Sequence, residues 1–169
     1  MCIRDSTLIV FTSDNGFFYG EHRIDGGKLR HYEEATRVPL MIRGPGFEPG
    51  SHVGAPVINA DLAPTLLDAA GVEAPVEPDG ISLLPFGPDP ELDPGRDLLL
   101  ESRHYAGIRT DRHIYVEHGS SGGSRELYDL ESDPYELDNL AGERGRRRLQ
   151  ADLARRLGEL RDCAGAACR

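Results

Sequence analysis

The sequence predicts an α/β stretch followed by a small antiparallel sheet and a terminal helix. Three features predict it. A short β-branched run, "TLIVFT", enters the polar turn "SDNG". A stretch dense in proline and acid, "VEAPVEPDGISLLPFGPDPELDPGRD", then interrupts the chain. Beyond it the pattern changes to four short strand-like runs and one leucine-striped helix.

The elements follow in order. Thr7–Thr12 reads as a buried strand, because apolar and β-branched residues run unbroken into a turn. Residues 17–30 carry Gly20, Gly26 and Gly27 without a clear period, so they read as a surface loop. Val38–Arg43 is a second strand, stopped by "GPGFEPG". Asn59–Ala70 reads as a helix with Leu62, Leu66, Leu67 and Ala70 on one face, Pro64 in its first turn and Gly71 as its stop. Strands are expected at Leu98–Ser102, Gly107–Thr110, His113–Glu117 and Glu126–Asp129, with Asp111-Arg112 as a two-residue hairpin and "HGSSGGS" as a longer connection. The last helix spans about 146–161. Leu149, Leu153, Leu157 and Leu160 form its apolar stripe, and the arginines opposite read as a solvated surface.

Composition narrows the function. Hydrophobic content of 38% and charged content of 28% in 169 residues fit a folded domain. A formal net charge of −10 argues against nucleic acid as a partner, because a duplex binder needs a basic face. It does not argue against a small anion, since one lysine or metal can reverse the field in a cleft. No run is long enough for a membrane-spanning helix. "MCIRDS" has no apolar core for a signal peptide, and a strand starts directly after it. Met1–Ser6 therefore reads as a foreign start and the rest as the C-terminal part of a longer protein, in blocks 1–6, 7–96 and 97–169. Cys163 and Cys168 bracket "CAGAAC" and are expected to pair as a disulfide if the protein is secreted. The alternative is two free thiols on a frayed end.

Chemistry concentrates just past the first strand. Asp14 and Asn15 offer a carboxylate and an amide carbonyl, hard oxygen donors suited to Ca²⁺ or Mg²⁺. Two such donors fall short of the six to eight that calcium takes, and an ordinary Asn-Gly turn with left-handed backbone is the competing reading. Lys28 is the only lysine in the chain and lies in the next loop, where an ammonium suits an oxyanion; an exposed surface lysine is the alternative. His22, in "GEHR", is a candidate proton donor or substrate contact, or else simply exposed. Glu33 and Glu34, adjacent on a helix, point in different directions and read as structural or solvated.

The stretch "FTSDNGFFYGEHRIDGGKLRHYEEATRVPLMIRGPG" resembles a signature region of the sulfatases, which have the alkaline-phosphatase-like α/β fold. "NADLAPTLLDAAGVEAPVEPDGISLLP" resembles the helix and linker that follow there, and "RELYDLESDPYELDNLA" the family's C-terminal strand and turn. The resemblance implies a metal-dependent sulfuric ester hydrolase. It makes Asp14 and Asn15 ligands of Ca²⁺ (or Mg²⁺) and Lys28 a catalytic, sulfate-binding residue. His22 falls where some members touch substrate, while Tyr32, Arg37 and Pro39 belong to the motif as structural residues. Arg103 and His104, at a strand end in the small sheet, are candidates to line the substrate pocket. The family's nucleophile is a formylglycine made within C/S-x-P-x-R, and no such pentapeptide occurs here. The chain is thus expected to be inactive alone, with the formylglycine in a preceding half. The full protein is expected to be secreted or periplasmic and to cleave a small sulfated carbohydrate or aryl sulfate. Two readings compete: a phosphate or phosphonate ester hydrolase of the same superfamily, and a non-catalytic calcium- or carbohydrate-binding module.

Overall fold

In a computed structural model, which describes residues 6–119 and 123–169, the chain forms two compact units. Most of the leader and the centre of "HGSSGGS" lie outside the described residues. The first unit runs through Asp14 and includes Pro39–Arg96 and Cys163–Arg169; the second comprises Asn15–Val38 and Asp97–Asp162. The units are therefore not the continuous blocks 7–96 and 97–169. Segment 15–38 joins the C-terminal sheet, and the last seven residues join the first unit.

In the first unit, β1 (Ile9–Thr12) pairs antiparallel with β2 (Leu40–Arg43), placing Phe11 opposite Met41. The expected burial of this strand is not observed. Phe11 and Met41 are each 58% exposed, because a two-stranded sheet covers one face only. A turn of 3₁₀ helix at Asn59–Asp61 leads into α2 (Leu62–Ala69). This helix closes as expected at Gly71. Its N–H reaches the Asp68 carbonyl at 3.0 Å, and Val72 N–H reaches the Leu67 carbonyl at 2.9 Å, with Gly71 at φ 65°. The expected leucine face is not the buried one, however. Leu66 is exposed, while Pro64 and Thr65 are buried.

Asp61 decides that orientation. Its carboxylate is fully buried and accepts the N–H of Ile58 at 2.8 Å, the N–H of Ile81 at 2.9 Å and both terminal nitrogens of Arg96. Thr65 extends the arrangement. Its hydroxyl donates to the Asp61 carbonyl at 2.6 Å and accepts Leu83 N–H at 2.8 Å. The helix therefore turns its polar anchor inward, because a buried carboxylate must have all its lone pairs satisfied.

In the second unit, β3 (Leu98–Glu101), β4 (Tyr105–Arg109), β5 (His113–His118) and β6 (Arg125–Asp129) form an antiparallel meander, in the expected places. The Asp111-Arg112 hairpin also forms, with Thr110 N–H bonded to the His113 carbonyl at 2.9 Å. On one face Ala106, Ile108, Tyr115 and Leu127 meet Leu153 and Leu157 of α3 (Arg147–Arg161). The arginines of α3 are not only a solvated surface: Arg156 clamps the Asp97 carboxylate with two nitrogens, one of them at 2.7 Å.

The other face carries Gly107, Ile114, Val116, Glu126 and Tyr128, and segment 15–38 packs onto it. Because both faces are covered, Ile114, Tyr115 and Val116 are all fully buried in succession. Residues 17–30 are likewise more than a surface loop. Phe18 is fully buried and bridges to Gly27, and a 3₁₀ turn occupies Glu21–Arg23. Among the described residues, no helix is long and apolar enough to cross a membrane.

Arg96→Ala leaves the Asp61 carboxylate buried and under-satisfied, so it is expected to lower the unfolding free energy by about 3–5 kcal/mol. Urea denaturation followed by circular dichroism measures this, and a change below about 1 kcal/mol contradicts the role given to the pair.

Candidate functional site

Asp14 follows β1 at the end of the first unit, and Asn15 opens the second. The turn that joins them is not the ordinary left-handed one, since neither Asn15 nor Gly16 has a positive φ. Glycine is required at 16 for a different reason. Its N–H bonds the Ala35 carbonyl at 2.9 Å, and a Cβ there would sit 1.9 Å from the Glu34 carbonyl oxygen. The glycine thus seats the turn directly on α1 (Glu33–Thr36). Asn59 Nδ2 donates to the Asp14 carbonyl at 3.1 Å, and Asn15 Nδ2 donates to the Gly16 carbonyl at 2.9 Å. With the amide nitrogen bonded to backbone, ligation by Asn15 falls to Oδ1. A carboxylate and an amide oxygen fit a hard divalent cation in kind, though two donors are fewer than such an ion takes.

Lys28 directly follows the Phe18–Gly27 bridge, so the loop holding it is pinned at its base by a buried aromatic ring. His22 turns inward. Its side chain is 10% exposed, stacks on Tyr32 at 3.8 Å between ring centres and lies 3.3 Å from Glu34 Oε2. Glu33 faces elsewhere, pairing with Arg109 and Arg37 at 3.2 Å each. The divergence expected of adjacent helix residues therefore holds, and both carboxylates are structural.

Two acids, the half-buried Glu126 and the buried Glu136, escaped the sequence reading. Glu126 accepts from Tyr32 at 3.0 Å, from Tyr128, and from His118 Nε2 at 2.6 Å. Burial opposes its ionisation, but the His31 ring and the hydrogen bonds outweigh that and hold its carboxyl well below the usual range. Burial and the Glu126 charge push the Tyr32 hydroxyl up to about 12. Glu136 is treated oppositely. It accepts Glu33 N–H at 2.7 Å, yet burial and the neighbouring acids Glu33, Glu34 and Asp133 push it up to about 8. Its backbone φ of 51° is left-handed, a conformation that no local sequence signal announces.

Arg103 and His104 are exposed between β3 and β4 and line one cleft of about 250 Å³ with Tyr105, His118 and Arg125. Cys163 and Cys168 are joined as a disulfide, with Cα atoms 5.2 Å apart. The tail is docked, since Gly165 N–H reaches Asp79 Oδ1 at 2.7 Å and Arg169 Nη2 reaches the Pro78 carbonyl at 2.6 Å.

Residues 20–163 match the family described as N-sulphoglucosamine sulphohydrolase, C-terminal. The chain is 36% identical to an N-acetylglucosamine-6-O-sulfatase of Bacteroides thetaiotaomicron, over 92% of this chain and 30% of that protein. It is 41% identical to a choline-sulfatase of Rhizobium meliloti, over 81% of this chain and 27% of that one. The chain thus spans under a third of the length of these two relatives. Among solved structures, one in complex with its substrate D-glucosamine-2-N,6-O-disulfate aligns with a TM-score of 0.84 at 35% identity, covering 93% of this chain and 34% of the other. A phosphonate monoester hydrolase of Agrobacterium radiobacter aligns with a TM-score of 0.79 at 31% identity, covering 93% and 35%.

Because Glu136 holds its proton more tightly folded than unfolded, it stabilises the fold below about pH 4.5 in full, and that contribution is lost as pH rises through 8. The slope is at most about 1.4 kcal/mol per pH unit. Glu136→Gln keeps the carbonyl that accepts Glu33 N–H and removes the proton. Urea midpoints from pH 5 to 9 are therefore expected to fall less steeply in the variant than in the parent; parallel profiles contradict the assignment.

Proposed function

The chain belongs to the sulfatases, and from that premise we propose that its protein is a sulfuric ester hydrolase acting on a sulfated carbohydrate. The match over residues 20–163 carries this reading, because it contains Lys28 in a loop anchored by Phe18 and Gly27. The relatives supply the substrate class. One is an N-acetylglucosamine-6-O-sulfatase, and one structural neighbour holds a disulfated glucosamine as substrate.

In this proposal Asp14 and Asn15 contribute two of the oxygen ligands of a Ca²⁺ ion, with Mg²⁺ as the alternative. When bound, such an ion neutralises charge on the sulfate oxygens and lowers the barrier to attack on sulfur. The Lys28 ammonium binds a sulfate oxygen and stabilises charge that grows as the ester bond breaks. His22, turned onto Glu34 and Tyr32, acts as a positioning residue for the loop between Gly20 and Lys28. Arg103 and His104 bind the sugar from their cleft. The formylglycine nucleophile is supplied outside these 169 residues, so the chain alone does not turn over. A disulfide in the docked tail supports a secreted or periplasmic location.

The similarity to a phosphonate monoester hydrolase favours one competing reading, since sulfate and phosphonate monoesters are both tetrahedral oxyanions. Parallel assays of the full-length protein on 6-O-sulfated glucosamine, an aryl sulfate and a phenyl phosphonate separate the two. Sulfated glucosamine is expected to be cleaved with the highest kcat/KM, and a dominant phosphonate activity reverses the assignment. Lys28→Ala is expected to lower kcat/KM about 10²–10³-fold, with stability changed by less than about 0.5 kcal/mol. Unchanged turnover removes Lys28 from the site.

A further inference from the structure

Beneath the sheet of the second unit lies a set of side chains that the sulfatase reading does not use. His31 is 1% exposed, and neither of its ring nitrogens has a hydrogen-bond partner. A neutral imidazole must carry one N–H and one lone pair, so a buried ring without a well-formed hydrogen bond at either end costs about 1–3 kcal/mol. Its Nε2 approaches Glu126 Oε2 to 3.3 Å, outside hydrogen-bond geometry. His118 Nε2 lies 2.6 Å from Glu126 Oε1. One nitrogen from each ring and one carboxylate oxygen all fall within 4.8 Å of one another.

We propose that His31, His118 and Glu126 form a binding site for a divalent transition-metal ion of the zinc class. Two imidazoles and one carboxylate are a zinc donor set, and neutral nitrogen donors disfavour the hard cations expected at Asp14 and Asn15. The surroundings are arranged for it. Glu126 Oε2 is held by the hydroxyls of Tyr32 and Tyr128, which fixes the carboxylate and leaves Oε1 toward His118. His118 and Tyr105 also line the cleft of Arg103 and His104, so an ion reaches the set from solvent and keeps water as its fourth ligand.

The geometry needs a small adjustment at each histidine. Bonds of about 2.0–2.1 Å in a tetrahedron separate ligand atoms by about 3.3 Å. His31 Nε2 stands 3.3 Å from Oε2, the oxygen held by the tyrosines, so a small turn of the ring or carboxylate must bring it to that spacing from Oε1; the set lies within 4.8 Å already. The His118 contact must open by roughly 0.7 Å, and its partly exposed ring at the cleft edge is able to move. For Nε2 of His118 to ligate, the hydrogen of its bond to Glu126 moves to Nδ1 or to solvent as the ion binds.

The test uses purified protein stripped with chelator and kept in excess Ca²⁺, which occupies any hard-oxygen site. Co²⁺ is then titrated in and displaced by Zn²⁺. The expected result is one intense tetrahedral Co²⁺ visible band per chain, lost on addition of one equivalent of Zn²⁺. His31→Gln and His118→Gln each abolish the band, and Tyr128→Phe weakens Zn²⁺ affinity about 10–100-fold. His22→Gln, which alters the separate set His22, Glu34 and Glu136, leaves the band intact. Absence of the band, or its survival in His31→Gln with loss in His22→Gln, overturns the proposal. Metal-free melting temperatures of the variants separate loss of a ligand from loss of the fold. Sulfatase activity is not part of the readout, so the result does not depend on the role of Lys28.

Discussion

The second unit depends on a carboxylate that leaves water. Glu126 lies half-buried in β6, on the face covered by segment 15–38, and a charge drawn partly out of water is tolerated only if donors surround it. Those donors come from three places in the chain: Tyr32 on the incoming segment, His118 at the end of β5, and Tyr128 two residues along β6. Satisfying Glu126 therefore fixes where residues 31 and 32 lie. With Phe18 buried and paired to Gly27, both ends of the stretch that carries Lys28 are tied down. A loop tied down in this way is ordered without a ligand, which favours the anion-binding role proposed for Lys28.

Local pattern was enough to find the meander, its hairpin and the helix across it, because these elements are specified by residues close in sequence. The leucines of α3 and the Gly71 stop of α2 are of this kind. What local pattern misjudged was which face turns inward. Leu66 fits an apolar stripe, yet Asp61 and Thr65 take the buried side because Arg96, 35 residues away from Asp61, supplies the partner. Burial of an acid paired at long range leaves no periodic trace. Phe18 was missed for a related reason: a glycine-rich stretch without a period looks like surface even when one ring anchors it.

Around the candidate site, residue types were legible and surroundings were not. A carboxylate, an amide and a lone lysine stand out in the sequence, and so does the choice between a turn and a ligand pair. Only coordinates show that Gly16 is needed for its lack of a Cβ against the Glu34 carbonyl, not for a left-handed turn. They also turn His22 from an exposed loop histidine into a ring stacked on Tyr32. Glu136 gave no signal at all. Its motif "DPYELDNLA" reads as a turn, and its function in the fold is to accept a hydrogen bond from the backbone of α1.

Glu126 and Glu136 support the same segment, yet their protons are held in opposite ways, and the difference follows from counting neighbours. Glu126 is approached by two hydroxyls and two imidazoles, so its negative charge is stabilised despite burial. Glu136 has one backbone donor and three acids for company, so charge there is costly and the proton stays. Were both ionised, two negative charges would sit beneath 31–36; the formal charge of −10 counts both, and a protonated Glu136 removes one of them. Keeping one carboxyl neutral lets the fold use acids as hydrogen-bond acceptors without crowding two charges beneath one segment.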